Sequence, residues 1–229
     1  LTRLAVQHAA GRLAVVAGAG TSSTAATVAR VARLSQLGVE GLLVVTPAYV
    51  RPTQEGLYRH FEAVAAASRV PLILYNVPSR TAVDLLPATV ARLAKLPRIV
   101  AIKERVRELV RLVPPGFTVL SGDDATAREA VAHGARGVVS VTANVAPRQV
   151  ADMIAAALEG DQQRAMELDS RLASLHQALF LEPNPIPAKW VAMKLGLAPG
   201  GIRLPLTALE PAHEAPLRRA MMAAGIALD

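Results

Sequence analysis

The sequence predicts an α/β fold built on a parallel sheet, and three observations carry that prediction. Short apolar runs recur along the chain, at residues 13–17, 41–45, 72–75, 99–102, 117–120 and 137–141. Their cores are continuous rather than alternating, as strands covered on both faces require. Helical patterns separate them, and repeated strand–helix units make parallel sheets with right-handed crossovers. Six such strands fit either a doubly wound sheet or most of a (β/α)8 barrel. At 229 residues the chain can bury one large core.

The elements follow in order. Residues 1–10 read as a helix stopped by Gly11, and 13–17 as a strand ending in the small-residue turn Gly18-Ala19-Gly20-Thr21. Ser23 or Thr24 can cap a helix running to about residue 37, with Gly38 after it. The strand at 41–45 leads into a loop at 46–53 and a helix at 54–68. The strand at 72–75 is followed by the loop Asn76-Val77-Pro78-Ser79-Arg80-Thr81, and Pro87 opens another helix. After the strand that ends at Lys103 come a helix at 105–112 and a strand at 117–120, and Asp123 or Asp124 is placed to cap the next helix. The sixth strand, 137–141, is the last. Beyond Pro147 only helices are expected, near 148–158, 162–180, 187–195 and 210–224.

Composition narrows the function. Cysteine is absent, which removes disulfides and thiolate chemistry and suits a reducing, cytoplasmic setting. No apolar run approaches the ~20 residues of a membrane span, and no signal peptide opens the chain. The five histidines are scattered without metal-ligand spacing, so no metal is expected. The net charge of +7 is spread along helical segments with few aromatics, a pattern unlike a nucleic-acid surface.

The strand ends carry the chemistry. Gly18-Ala19-Gly20 begins a dinucleotide fingerprint, but position 23 is Ser and the pattern fails. Lys103 ends the run Ile99-Val100-Ala101-Ile102, where desolvation disfavours an ammonium ion. A lysine kept partly neutral can form a Schiff base with a carbonyl substrate. Two of the three tyrosines, Tyr49 and Tyr75, also follow strand ends, as do Arg80, Gly122 and Asn144. In a barrel these ends share one rim, where phenols, a guanidinium and an amine form a set suited to proton transfer around an imine.

These residues stand in recognisable words: Val45-Thr46-Pro47-Ala48-Tyr49, Arg51-Pro52-Thr53-Gln54-Glu55-Gly56-Leu57, Tyr75-Asn76-Val77-Pro78-Ser79-Arg80-Thr81, Ile102-Lys103-Glu104, Ser121-Gly122-Asp123-Asp124, Gly137-Val138-Val139-Ser140-Val141-Thr142-Ala143-Asn144 and Glu182-Pro183-Asn184-Pro185-Ile186-Pro187. In this order they resemble the dihydrodipicolinate synthase (4-hydroxy-tetrahydrodipicolinate synthase) family of the N-acetylneuraminate lyase superfamily. Tyr-Asn-x-Pro and the strand-end lysine are shared across the superfamily, while Arg80 is the more specific mark of the synthases. The resemblance implies a (β/α)8 barrel with a C-terminal helical extension. Residues 1–146 would be a partial barrel carrying the active site, and 147–229 the last barrel helices and the C-terminal region.

The resemblance further implies condensation of pyruvate with L-aspartate 4-semialdehyde in lysine and diaminopimelate biosynthesis. Lys103 would form the pyruvate imine, Tyr75 would relay protons, and Tyr49 would reach a neighbouring subunit's relay. Arg80 would bind the semialdehyde carboxylate, with Val139 and Gly122 beside bound substrate. No cofactor is implied beyond the covalent imine, and the partners are the two substrates and a second copy, in a homodimer or homotetramer. The alternatives are another pyruvate-dependent aldolase or lyase of the superfamily, or a non-catalytic paralogue serving as an oligomer partner.

Three departures accompany the resemblance. Family members begin about two β/α units earlier, with a Gly-Thr-Thr-Gly-Glu loop that this chain lacks; residue 1 is Leu, so a longer chain is expected. The interval from Lys103 to Phe117 is short for a helix and two loops. Lysine-sensitive members carry a tyrosine, an amide and a glutamate where this chain has Ala48, Ser22 and Ala26. Weak inhibition by L-lysine is therefore expected.

Overall fold

The computed structural model describes residues 1–104 and 109–227. They form two compact units, Leu1–Leu120 and Ser121–Asp229.

The first unit holds the sheet. Strands β1 (Val16–Gly18), β2 (Gly41–Val45), β3 (Leu72–Tyr75), β4 (Ile99–Glu104) and β5 (Thr118–Ser121) lie in sequence order. The pairs β1–β2, β2–β3 and β3–β4 are parallel. Helix α1 (Thr2–Ala9) precedes β1, and α2 (Thr24–Leu34), α3 (Gln54–Ala67), α4 (Pro78–Thr81) and α5 (Pro87–Leu93) occupy the connections. Ser23 Oγ accepts from the Ala26 N–H at 3.3 Å and starts α2; Thr53 Oγ1 accepts from the Gly56 N–H at 3.1 Å and starts α3. Each cap satisfies a donor that the first helical turn leaves open. Pro87 opens α5.

The sheet's burial is less symmetric than the apolar runs predict. Leu42, Val44, Leu72, Leu74 and Ile102 are fully buried, along with Val31, Leu57, Phe61, Val64, Val90 and Leu93 from the helices. Their neighbours Leu43, Val45, Ile73 and Tyr75 are only half-buried. Side chains alternate across a strand, so these four share the opposite face. That face is the one on which Tyr75 and its register partner Lys103 stand.

Local differences from the sequence reading have local causes. The loop after Tyr75 coils into the single turn α4, where Thr81 N–H and Ala82 N–H reach the Val77 and Pro78 carbonyls. Of the helix expected at 105–112, residues 105–108 lie outside the described residues; residues 109–111 make one 3-10 turn.

The second unit begins with a 3-10 turn, Asp124–Thr126, that leads into α6 (Ala127–Ala132). Helices α7 (Pro147–Glu159), α8 (Gln162–Ala178), α9 (Ile186–Lys194) and α10 (Pro211–Ala223) follow. Met153, Leu172, Leu175, Leu217 and Met221 form the centre of its core. The expected sixth strand is reduced to one parallel bridge, Ser121 with Val138. The strand stops because Asp124 draws away the next donors: its carboxylate accepts from the Ser140 hydroxyl, the Val141 N–H at 2.8 Å and the Thr142 N–H at 3.2 Å. This also corrects the capping expectation. Neither Asp123 nor Asp124 caps the helix that follows it; Asp124 instead holds the 3-10 turn Thr142–Asn144. Among the described residues, no helix is long and apolar enough to cross a membrane.

Candidate active site

The first unit brings Tyr75 and Lys103 together through the sheet itself. Tyr75 of β3 is paired with Lys103 of β4, and both strands end at this level. The Lys103 Nζ lies 4.5 Å from the centroid of the Tyr75 ring. Lys103 is 9% exposed, a low value for a lysine, a residue rarely buried without a purpose or a partner. Burial raises the Tyr75 phenol above its ordinary pKa, and the Arg80 guanidinium partly offsets this by favouring the phenolate. Arg80 therefore acts on Tyr75 electrostatically, while its own residue stays exposed on α4.

Tyr49 stands differently. It is 90% exposed, with a left-handed backbone at φ 74°. Arg51 shares that conformation at φ 45°. Non-glycine residues are uncommon there, and such strain persists only when the surroundings fix it. The Tyr49 N–H donates to the Thr81 carbonyl at 3.1 Å. Buried Thr46 donates its hydroxyl to Thr81 Oγ1 at 3.2 Å. The Tyr49 loop is thus anchored one residue from Arg80. Gly20, near the end of β1, makes a close approach to β2: an added Cβ would stand 2.7 Å from the Val45 backbone nitrogen.

Behind Tyr75 and Lys103 lies a group to which sequence reasoning gave no role. Asn76 Nδ2 donates to Glu104 Oε1 at 2.8 Å and to Asp84 Oδ1 at 2.6 Å. Asn76 Oδ1 accepts from the Leu85 N–H at 3.1 Å, and the Asn76 N–H donates to the Lys103 carbonyl at 3.2 Å. Burial pushes the Glu104 carboxyl up to about 7; the Asn76 hydrogen bond opposes the shift and the Asp84 charge adds to it. The available signal was positional, because Asn76 and Glu104 each directly follow a residue chosen for the site.

The second unit holds the two remaining candidates. Gly122 is exposed, just past β5. Val139 is half-buried, and its N–H donates to the Ser121 carbonyl at 2.9 Å. Nearby in the same unit, Thr142 Oγ1 and His176 Nδ1 lie 2.8 Å apart, and burial lowers the His176 pKa despite three aspartates that raise it. Among the described residues, no cluster of three or more His, Asp or Glu could hold a metal ion.

A buried amine held against a phenol ring, with a guanidinium close enough to influence that phenol, can attack a carbonyl and manage the accompanying protons. Comparison with known proteins gives the chain's relatives. The chain is 51% identical over 228 residues to 4-hydroxy-tetrahydrodipicolinate synthase of Alkalilimnicola ehrlichii, covering 97% of this chain and 79% of that protein. The crystal structure of dihydrodipicolinate synthase from Aquifex aeolicus superposes with a TM-score of 0.96 at 43% identity, covering 100% of this chain and 80% of that one. A chloride-inhibited dihydrodipicolinate synthase from Acinetobacter baumannii, complexed with pyruvate, gives 0.96 at 44% identity, covering 99% of this chain and 80% of that one. These neighbours make the five-stranded sheet part of a (β/α)8 barrel fold. The model of the dihydrodipicolinate synthetase family matches residues 1–224, and the chain belongs to that family.

Proposed function

We propose that the chain is a 4-hydroxy-tetrahydrodipicolinate synthase, condensing pyruvate with L-aspartate 4-semialdehyde in lysine and diaminopimelate biosynthesis. The observation that carries this reading is the Tyr75–Lys103 pair, set at adjacent strand ends with Nζ 4.5 Å from the ring centroid. The Lys103 amine attacks the C2 carbonyl of pyruvate, water leaves, and an imine forms. Loss of a C3 proton gives an enamine, whose C3 attacks the aldehyde carbon of the second substrate. The amino group of that substrate then displaces Lys103 from C2 and closes the ring. No cofactor is needed, because the protonated imine is itself the electron sink.

Tyr75 is the proton carrier in this scheme. A phenol is a neutral donor near pH 7, and burial favours that protonated form further. Arg80 supplies a planar fork for the semialdehyde's carboxylate. Val139 and Gly122 are assigned to pyruvate binding on the family resemblance. Tyr49, exposed and anchored by its backbone, is assigned to a second subunit's relay in an isologous dimer, paired into a tetramer. The same resemblance supports the division of the chain into residues 1–146 and 147–229 and a cytoplasmic location.

The test is covalent. Pyruvate plus borohydride should add one reduced pyruvyl group to Lys103 of the full-length protein, located by peptide mass mapping. An adduct on another lysine, or none, overturns the reading.

A further inference from the structure

The Asn76 amide has two protons, and the two strongest acceptors it meets are carboxylates on different segments. One proton goes to Glu104 at the end of β4, the other to Asp84 after α4. The amide oxygen is used as well, by the Leu85 N–H. Asn76 is 4% exposed, so a lost bond there is not replaced by water. The residue numbers place this group in relation to the reacting pair. Asn76 follows Tyr75 and Glu104 follows Lys103, and Tyr75 and Lys103 are register partners. Successive side chains of a strand point to opposite faces. The Asn76–Glu104 bond therefore spans the same two strands on the reverse side of the sheet.

We propose that Asn76, Glu104 and Asp84 form a positioning clamp that fixes the distance between the Tyr75 hydroxyl and the Lys103 amine from behind the reacting face. The clamp rests on the function proposed above, because it matters only if that pair does the chemistry. Three features support it. Among the described residues, the backbone bond from Asn76 N–H to the Lys103 carbonyl is the last rung between β3 and β4, and it is long at 3.2 Å. Strand ends fray, and a side-chain tie across the terminal rung holds them at the spacing that the chemistry needs. Asp84 also fixes the tie to a third segment: its carbonyl accepts from Gln54 Nε2 of α3 at 2.7 Å. Finally, Glu104 is a costly way to fill this place. Among the described residues its buried Oε2 has no hydrogen-bond partner, so it contributes less to stability than an apolar side chain of equal size. A residue kept there at such a cost fits a role in geometry better than a role in stability.

Asn76 and Glu104 stand on the face away from Tyr75 and Lys103, so the expected signature is a fall in rate without a loss of binding. In the full-length protein, Glu104→Ala should lower kcat and the rate of pyruvate–borohydride trapping by about tenfold to a hundredfold, the effect of a small misplacement of reacting groups. KM for both substrates should stay within about threefold, a size too small to signal lost substrate contacts. Glu104→Gln keeps an acceptor for Asn76 and should restore most of both rates. Asp84→Ala, at an exposed residue, should show a smaller loss in the same direction, and it decides the matter if Glu104→Ala does not fold. The clamp is overturned if Glu104→Ala folds and keeps its rates, if Glu104→Gln is as impaired as Glu104→Ala, or if Asp84→Ala matches the parent protein. Trapping of the unmutated protein separates the two ideas. Normal trapping on Lys103 with unaffected variants removes the clamp alone, whereas no trapping on Lys103 removes the proposed function and the clamp's purpose with it.

Discussion

Tyr75 and Lys103 are held together by strand register, so the position of the amine over the phenol ring is a property of β3 and β4. The register sets the two backbones side by side, and the side chains then meet across the strand pair. The pairing also separates two contributions of Tyr75, its ring face and its hydroxyl.

Tyr75→Phe keeps the ring and removes the hydroxyl. If the phenol relays protons, kcat should fall by about a hundredfold to ten-thousandfold, the usual scale for a general acid–base group. KM for pyruvate should change little, since the ring packing survives. Steady-state kinetics on the purified variant decide this, and an unchanged kcat would assign Tyr75 to packing.

Arg80→Ala should raise KM for the semialdehyde far more than KM for pyruvate. Loss of one charge-assisted contact costs about 1.5–3 kcal/mol, equal to roughly tenfold to a hundredfold in KM. Because Arg80 also favours the Tyr75 phenolate, its removal should move any Tyr75-dependent limb of the pH–rate profile to higher pH. Equal effects on both substrates would move Arg80 out of the second-substrate site.

Glu104 gives stability a pH dependence of definite sign. Its folded pKa, about 7, lies above the ordinary 4.5, so the native state holds the proton more tightly than the unfolded chain. Stability from this group is full below about pH 4.5 and is lost as pH rises through 7. Glu104→Gln removes the ionisation and should stabilise the protein at pH 8 by on the order of 1–3 kcal/mol, with no gain at pH 4. Urea titrations at the two pH values measure the difference, and equal shifts at both would reject a buried, titrating Glu104.

Inhibition by L-lysine should be weak. An ammonium ligand needs acceptors in place of its water, and where they are missing its desolvation is not repaid. Ser22 and Ala26 are exposed, and Ala48 offers only a methyl group where the sensitive pattern has a phenol. An activity titration with strong inhibition at submillimolar lysine would contradict this. Joint Ala48→Tyr and Ala26→Glu substitution should shift the response toward sensitivity.

The parts legible in the sequence were those governed by short-range rules. Continuous apolar runs marked β2, β3 and β4, and the single lysine at the end of such a run marked Lys103. Ser23 and Pro87 sit at helix starts as their chemistry requires. Asp124 was placed near a helix start for the same reason, but the winning partners were the Val141 and Thr142 N–H groups, distant in sequence. That choice also ended the sixth strand after one bridge. The Asn76–Glu104 bond was invisible for a related reason. It depends on which residue of β3 lies level with which residue of β4, and apolar content does not set register one residue at a time.

Tyr49 and Arg51 hold left-handed backbone angles that glycine or asparagine would adopt with less strain. A lone subunit therefore gains by exchanging its tyrosine for glycine, at about 1 kcal/mol or more. The exposed Tyr49 ring is carried on strained backbone that contacts among the described residues do not explain. On the proposed dimer, a Tyr49→Gly variant whose lone subunit melts higher should also assemble less well.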